Sequence, residues 1–251
     1  MKKLLLPFLL LFLTQTISAE KINYIDISQK FLKSVKSKSK KTDYYINILA
    51  KADKDSILKQ LVDDKCKKAF FINLYNAYCN SALRKNPDLF KKRGRFFGVK
   101  QIDFAGNKIS LDVIEHGFLR KSMTKMSRGK MHNLFPSQLE KDFRVEKLDY
   151  RIHFALNCGA KGCPKIDIYS SKKIENQLAD SEKKFLKKNS KYDKKTKTLF
   201  VSSLMSWYRG DFGDKSGIID IHKNLKIISK GEQPNISFKD YDWTLNLDSF
   251  R

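Results

Sequence analysis

The sequence predicts a mixed α+β domain, with a buried central helix at 66–83 packed on a small, mostly antiparallel sheet that includes residues 150–158. Three observations predict it. Cys66 to Leu83 is apolar nearly all the way round, so that helix belongs inside. Ile152 to Leu156 is a short apolar run of β type that leads into Asn157-Cys158, a Gly-containing turn and Cys163-Pro164. Ile102 to Ile109 reads as a hairpin around Gly106-Asn107.

The first segment stands apart from that fold. Met1-Lys2-Lys3 is basic, Leu4 to Leu13 is apolar and broken only by Pro7, and Thr14 to Ala19 is small and polar. This is the pattern of a cleavable secretory signal over 1–19, cut after Ala19, and it predicts a secreted or periplasmic location. The run is short for a bilayer span; an uncleaved anchor is the alternative. No later run is long enough for a membrane helix.

The formal charge is +24, and loss of Lys2 and Lys3 with the signal leaves +22. Such a charge attracts anionic partners, namely cell-wall polymers, lipopolysaccharide, membrane surfaces or nucleic acid, and an anionic envelope polymer or a peptide is the expected partner. The lysines are dispersed along the chain, and no arginine-rich cluster or nucleic-acid motif appears, so general attraction is expected rather than nucleic-acid recognition.

Residues 20–41 are polar and lysine-rich, a surface helix or a mobile arm; Tyr44 to Ala52 and Ser56 to Val62 are short helical patterns. The helix at 66–83 carries one polar stripe, Asn73, Asn76 and Asn80, and Asn86-Pro87 ends it. Buried asparagines need hydrogen-bond partners, either as a network that ties down neighbouring backbone or as a polar wall of a site. After the hairpin, Ser110 caps a helix from Leu111 to about Lys121. Glu115 falls on its apolar face with His116 at the flank, so Glu115 needs an arginine or a job in a site. On an α-helical wheel Arg120 is too far round to reach it, which leaves Arg151.

Ser122 to Phe143 is irregular and basic. Ser171 to Lys188 is an amphipathic helix with Ile174, Leu178, Phe185 and Leu186 inward. Thr198 to Val201 reads as a strand, Leu204 to Tyr208 as a helix start, Gly210 to Gly217 as a loop and Ile218 to Ile228 as a helix. Trp207 to Phe212 is an aromatic corner with one ion pair, either core or cleft wall. Tyr241 to Asn246 is expected to be extended and to pack on the core. His132 and His222 are expected at the surface.

Four blocks carry a resemblance. They are Phe70 to Ala77, Ile109 to Arg120, Arg151 to Cys158 with Cys163-Pro164, and Tyr241 to Asn246. In this order they resemble the family known as domain of unknown function 547, DUF547. The resemblance spans about 65–246, so it implies a domain there, after the signal at 1–19 and a lysine-rich helical extension at 20–64, with a tail at 247–251. It implies an outline like that of the papain and transglutaminase-like thiol proteases. It also favours Cys158 over Cys163 as the residue with a role.

A thiol nucleophile needs a base, a group that orients the base, and oxyanion donors. Cys158 is the candidate nucleophile, His116 or His153 the base, and Glu115 or an asparagine the orienter. Asn73, Asn76 and Asn157 are candidates for substrate binding. On a straight strand His153 points away from Cys158, so His116 is the better base unless the strand bends. A Cys158–Cys163 disulfide closing a small loop is the alternative for the cysteines. A metal held by His153, Cys158 and Cys163 lacks a fourth ligand, and neither metal nor cofactor is expected. Two functions follow as expectations: an exported cysteine-dependent hydrolase or acyl-transferase acting on an amide or thioester, or a non-catalytic domain holding a peptide or anionic envelope polymer in its cleft.

Overall fold

A computed structural model describes residues 22–251; the secretory signal expected at 1–19 lies outside them. Three helices come first: α1 (Tyr24–Lys36), α2 (Thr42–Ala50) and α3 (Lys54–Leu58). The long helix α4 (Asp64–Lys85) follows, then a short α5 (Arg93–Gly98). Strands β1 (Ile102–Phe104) and β2 (Asn107–Ile109) form a hairpin, and a π-helical turn spans Val113–Leu119. Then come α6 (Gln138–Phe143), a 3-10 turn over Tyr150–Phe154, and α7 (Ile174–Asn189). The last elements are β3 (Lys191–Asp193), β4 (Thr198–Ser202), α8 (Leu204–Trp207), α9 (Asp214–Asn224) and β5 (Asn235–Lys239).

The fold is α+β, and α4 is its buried centre. Asp63 caps it by accepting from the Cys66 amide at 2.8 Å, and Asn86 ends it just before Pro87. Its interior positions from Lys68 to Ser81 are all buried. The one charge among them, Lys68, is neutralised by Asp149 at 2.7 Å and Glu175 at 3.1 Å. Helix α1 lays Phe31, Leu32 and Val35 into the same core, so the lysine-rich segment is neither a mobile arm nor a purely surface helix. Its lysines occupy the outer face.

The sheet is not where the sequence put it. Residues 150–157 lie outside every strand, and Tyr150–Phe154 is a 3-10 turn capped by Asp149. The physical reason is burial on all sides: Ile152, His153, Phe154, Ala155 and Leu156 are all buried, and an apolar run without a wet face has no periodicity to separate strand from helix. The strands form a three-stranded sheet, β3-β4-β5, antiparallel then parallel, and the separate hairpin. Helix α4 therefore packs on α1, the π turn and α7, while the three-stranded sheet packs with α7 and α8 around a second core of Phe185, Leu199, Val201 and Met205.

Three smaller expectations also change. The hairpin turns on Ala105-Gly106, both at positive φ, rather than Gly106-Asn107; this is the mirror-image turn that suits strand twist. His222 is buried on α9, its Nδ1 bonded to the Ile218 carbonyl and its Nε2 to the Ser190 hydroxyl. Helix α9 starts at Asp214, inside the expected loop.

Residues 241–250 return across the molecule as an extended strap. Lys161 and Gly162 amides donate to the Thr244 and Asp242 carbonyls, and the Asn246 amide to the Gly159 carbonyl. Bridges Ala160–Leu245 and Ile166–Phe250 continue the contact.

Candidate functional site

A cavity of about 250 Å³ lies where the π turn, the 3-10 turn, α8 and the strap meet. Four of the site residues expected from sequence border it: Glu115, His116, His153 and Cys158. Aromatic rings make much of the remaining wall, namely Tyr75, Phe97, Trp207, Tyr208, Tyr241 and Trp243. Because the segment before Cys158 is a 3-10 turn and not a strand, the alternation that would have separated His153 from Cys158 does not apply.

The π turn explains the neighbours of Glu115. Its hydrogen bonds run from Arg120 N to Glu115 O (2.9 Å) and from Ser122 N to Gly117 O (2.8 Å), so residues five apart share a face. Ser110 opens the segment by accepting from the Val113 amide, as the sequence suggests. Arg120 thereby comes close to both Glu115 and His116. Arg151, the partner expected from an α-helical wheel, is instead bound to Asp149 and Glu175.

Arg120 is fully buried. Its Nε and Nη2 donate to Asp211 at 2.6 and 3.0 Å, and its Nη1 to His116 Nδ1 at 2.9 Å. Asp211 also accepts from His153 Nε2 at 2.7 Å. His153 stacks on Tyr208 at 3.9 Å, and the Tyr208 hydroxyl donates to Glu115 Oε1 at 2.5 Å. Glu115, Tyr208, His153, Asp211, Arg120 and His116 thus form one connected polar cluster in a nearly dry setting.

The tautomers follow from the partners. Arginine only donates, so His116 Nδ1 accepts and its proton sits on Nε2, 3.7 Å from Asp112. The Asp211 carboxylate only accepts, so His153 carries its proton on Nε2 and a free lone pair on Nδ1. Burial pushes both histidines below their ordinary pKa, against the pull of Glu115 on His116 and of Asp211 on His153. Both are neutral at pH 7. Burial pushes the Asp211 carboxyl up, but hydrogen bonds from His153 and Arg120 outweigh it and hold the group at about 2. For Glu115 burial is likewise outweighed, first by His116 and then by the Tyr208 hydrogen bond, so it stays below its ordinary value.

The asparagines do something else. Asn73 bonds both the amide and the carbonyl of Tyr169, at 2.9 Å each. Asn76 donates to the Ala155 carbonyl at 2.9 Å and accepts from the Asn157 amide at 2.8 Å. Asn157 spans its own loop, from the Gly159 amide to the Pro164 carbonyl. None of the three borders the cavity. Asn76 and Asn157 clamp the backbone that carries Cys158, and Asn73 clamps the chain at Tyr169, which is the network reading of the stripe. Gly159 completes the bend at φ +87, where a side chain would run into Leu83.

Cys158 and Cys163 are joined as a disulfide across this loop, with Cα atoms 6.3 Å apart. The Tyr241 hydroxyl donates to Cys163 Sγ at 3.2 Å and stands 3.9 Å from Cys158 Sγ. Neither histidine hydrogen-bonds the Cys158 sulfur. Among the described residues no group of three or more His, Cys, Asp or Glu side chains is arranged to hold a metal.

Sequence reasoning missed Asp211, Arg120 and Tyr208 as site residues. The signal for Asp211 and Tyr208 was the corner Trp207 to Phe212, of which Trp207 and Tyr208 do line the cavity; Arg120 was set aside by the α-helical wheel. Trp243 and Tyr241, expected to pack the strap on the core, also face the cavity, and Arg93 stacks over Trp243 at 4.5 Å.

The family model described as protein of unknown function, DUF547, matches residues 58–186, just over half of the chain. No curated protein and no solved structure matches. No helix among the described residues is long and apolar enough to cross a membrane.

Proposed function

We propose, from the premise that this chain belongs to the DUF547 family, that it is an exported cysteine-dependent hydrolase or acyl-transferase acting on an amide or thioester. One observation carries the reading: Cys158 shares a small aromatic cavity with a neutral histidine whose far nitrogen is fixed by a buried carboxylate. That is the arrangement a base and its orienter need.

Cys158 is the nucleophile once the disulfide is opened by a dithiol reductant. His153 Nδ1 takes the thiol proton. The thiolate adds to the acyl carbon, and the carbonyl electron pair moves onto oxygen. As that pair returns, the bond to the leaving amine or thiol breaks and His153 passes the proton to it. An acyl-thioester on Cys158 remains, and water or a second nucleophile, deprotonated by His153, releases it. His116 is less suited as base, because its only lone pair already accepts from Arg120. Glu115 acts indirectly, by fixing the Tyr208 ring on which His153 stacks.

A second reading is favoured by the aromatic wall and by Arg93, which has no acidic partner among the described residues. In it the cavity holds a peptide or a group of an anionic envelope polymer without chemistry.

Alkylation of Cys158 separates the two. Cys163→Ser leaves Cys158 as a free thiol, and peptide mapping reads it apart from Cys66 and Cys79. A catalytic Cys158 reacts faster in the native than in the unfolded chain, with an apparent pKa well below about 8.5, and His153→Gln restores the ordinary value. A native rate no faster than the unfolded one, at an ordinary pKa, overturns the enzyme reading and leaves the binding one.

A further inference from the structure

Four of the five most exposed large apolar side chains in the described fold lie within one stretch of ten residues: Met126 at 89%, Met131 at 62%, Leu134 at 79% and Phe135 at 88% exposure. The stretch belongs to the basic loop after the π turn. Lys121, Lys125, Arg128 and Lys130 are there, and no acidic residue occurs between Glu115 and Glu140. Monomeric proteins rarely leave such a patch in water without a use for it.

The loop is built rather than slack. Met123 and His132 form a bridge, the Thr124 amide donates to the Met131 carbonyl at 2.9 Å, and the Asn133 amide to the Ser122 carbonyl at 2.6 Å. Arg128 and Gly129 turn the tip at positive φ, and the Gly210 amide donates to the Arg128 carbonyl at 2.7 Å. Gly129 sits against Asp211 with no room for a side chain. Lys125 is tied to Asp112 at 2.7 Å and Lys130 to Asp214 at 3.4 Å. Lys121 and Arg128 have no acidic partner among the described residues. The apolar side chains are therefore held outward on a fixed frame, so presenting them costs no ordering of the loop on binding.

We propose that this loop is a membrane-docking element that seats on the surface of an anionic bilayer, with Phe135, Leu134 and the two methionines entering the headgroup region and Lys121 and Arg128 meeting lipid phosphates. Exposed apolar side chains interspersed with cations are the pattern of interfacial insertion. Each cation near an anionic leaflet adds attraction, and the chain's formal charge of +24 brings it to such a surface from a distance. A protein groove would take the apolar side chains equally well but gives no reason for the two cations, Lys121 and Arg128, left without an acidic partner among the described residues. The inference does not depend on any chemistry in the cavity. It does give the cavity a setting, because Lys125 belongs to both the loop and the cavity wall.

The test is co-sedimentation of the full chain with vesicles of phosphatidylcholine and phosphatidylglycerol in equal parts, against vesicles of phosphatidylcholine alone. The chain binds the anionic vesicles. L134D/F135D weakens binding about tenfold or more, the equivalent of at least 1.4 kcal/mol, without changing thermal unfolding, because both side chains are exposed. K121Q/R128Q removes most of the preference for the anionic lipid. F135W reads the site locally: its added fluorescence shifts to the blue on binding and is quenched by brominated acyl chains. Absence of binding, equal binding of L134D/F135D, or binding in which the F135W signal stays unquenched each overturns the proposal; the last would assign the patch to a protein partner or the attraction to charge alone.

Discussion

Arg120 and Asp211 meet as a two-point ion pair, Nε to Oδ2 at 2.6 Å and Nη2 to Oδ1 at 3.0 Å, with both side chains wholly shielded from solvent. One comes from the end of the π turn and the other from the corner before α9, 91 residues later. Each also holds a histidine, His116 on the arginine and His153 on the aspartate. Removing one partner leaves the other charge buried alone. Asp211→Asn should therefore cost about 3–5 kcal/mol of stability, read as a shift of the urea midpoint. A loss below about 1 kcal/mol would mean water reaches the pair, as at surface ion pairs. In the wild type the contribution of Asp211 is present above the ordinary carboxylate pKa of 3.8 and is lost as pH falls toward about 2.

Three buried histidines give a second pH dependence, at higher pH. Burial lowers the pKa of His116, His153 and His222 in the fold. Their unfolded values are about 6.5, so the unfolded chain takes up protons first. Stability should be greatest above about pH 6.5 and should decline as pH falls below it, by up to about 1.4 kcal/mol per pH unit for each group. Urea midpoints measured between pH 8 and pH 5 check this; a flat profile contradicts it.

Asn76 and Asn80 lie one helical turn apart, yet they should differ sharply. Asn76 satisfies one carbonyl and one amide of the Cys158 segment, so Asn76→Ala orphans both and should cost about 2–4 kcal/mol. Asn80 donates only to the Asn76 carbonyl, and its own Oδ1 has no partner. Asn80→Ala should cost less. Equal losses would show that packing of the side chain, and not its hydrogen bonds, sets the value.

The disulfide closes a loop with a sequence separation of 5. Loop-closure entropy for so short a loop is about 2 kcal/mol. Cys158→Ser with Cys163→Ser should lower stability by that amount while leaving far-ultraviolet circular dichroism unchanged, since the Asn76 and Asn157 clamps remain. Loss of the fold would show that the bond, not the clamps, shapes the segment.

How much of this was legible in the sequence depended on periodicity and on the length of the apolar runs. Helix α7 was readable from its amphipathic period, the Ile102 to Ile109 hairpin from its turn residues, and α4 from length alone, its apolar run being too long for a strand. The 3-10 turn at Tyr150–Phe154 was not, since all sides of the run are covered and a solid apolar stretch looks alike in either conformation. The meeting of Glu115, His116 and Arg120 was hidden for a different reason. An α-helical wheel separates residues five apart, whereas the hydrogen bonds of this segment bring them together. Cys158, His116, His153 and Glu115 could be named from local sequence; Asp211 could not, because its partners come from two segments that only the tertiary fold brings near.

The strap at 241–250 sets an order of events. It supplies Tyr241 and Trp243 to the cavity and stitches itself to residues 159–166, about eighty positions earlier. Contacts that distant in sequence are the slow ones to close. During synthesis α4 and its core can assemble while the cavity still lacks a wall. A partly made chain therefore has its sulfurs and histidines in hand around an open hollow, and the enclosure is finished only when the strap docks.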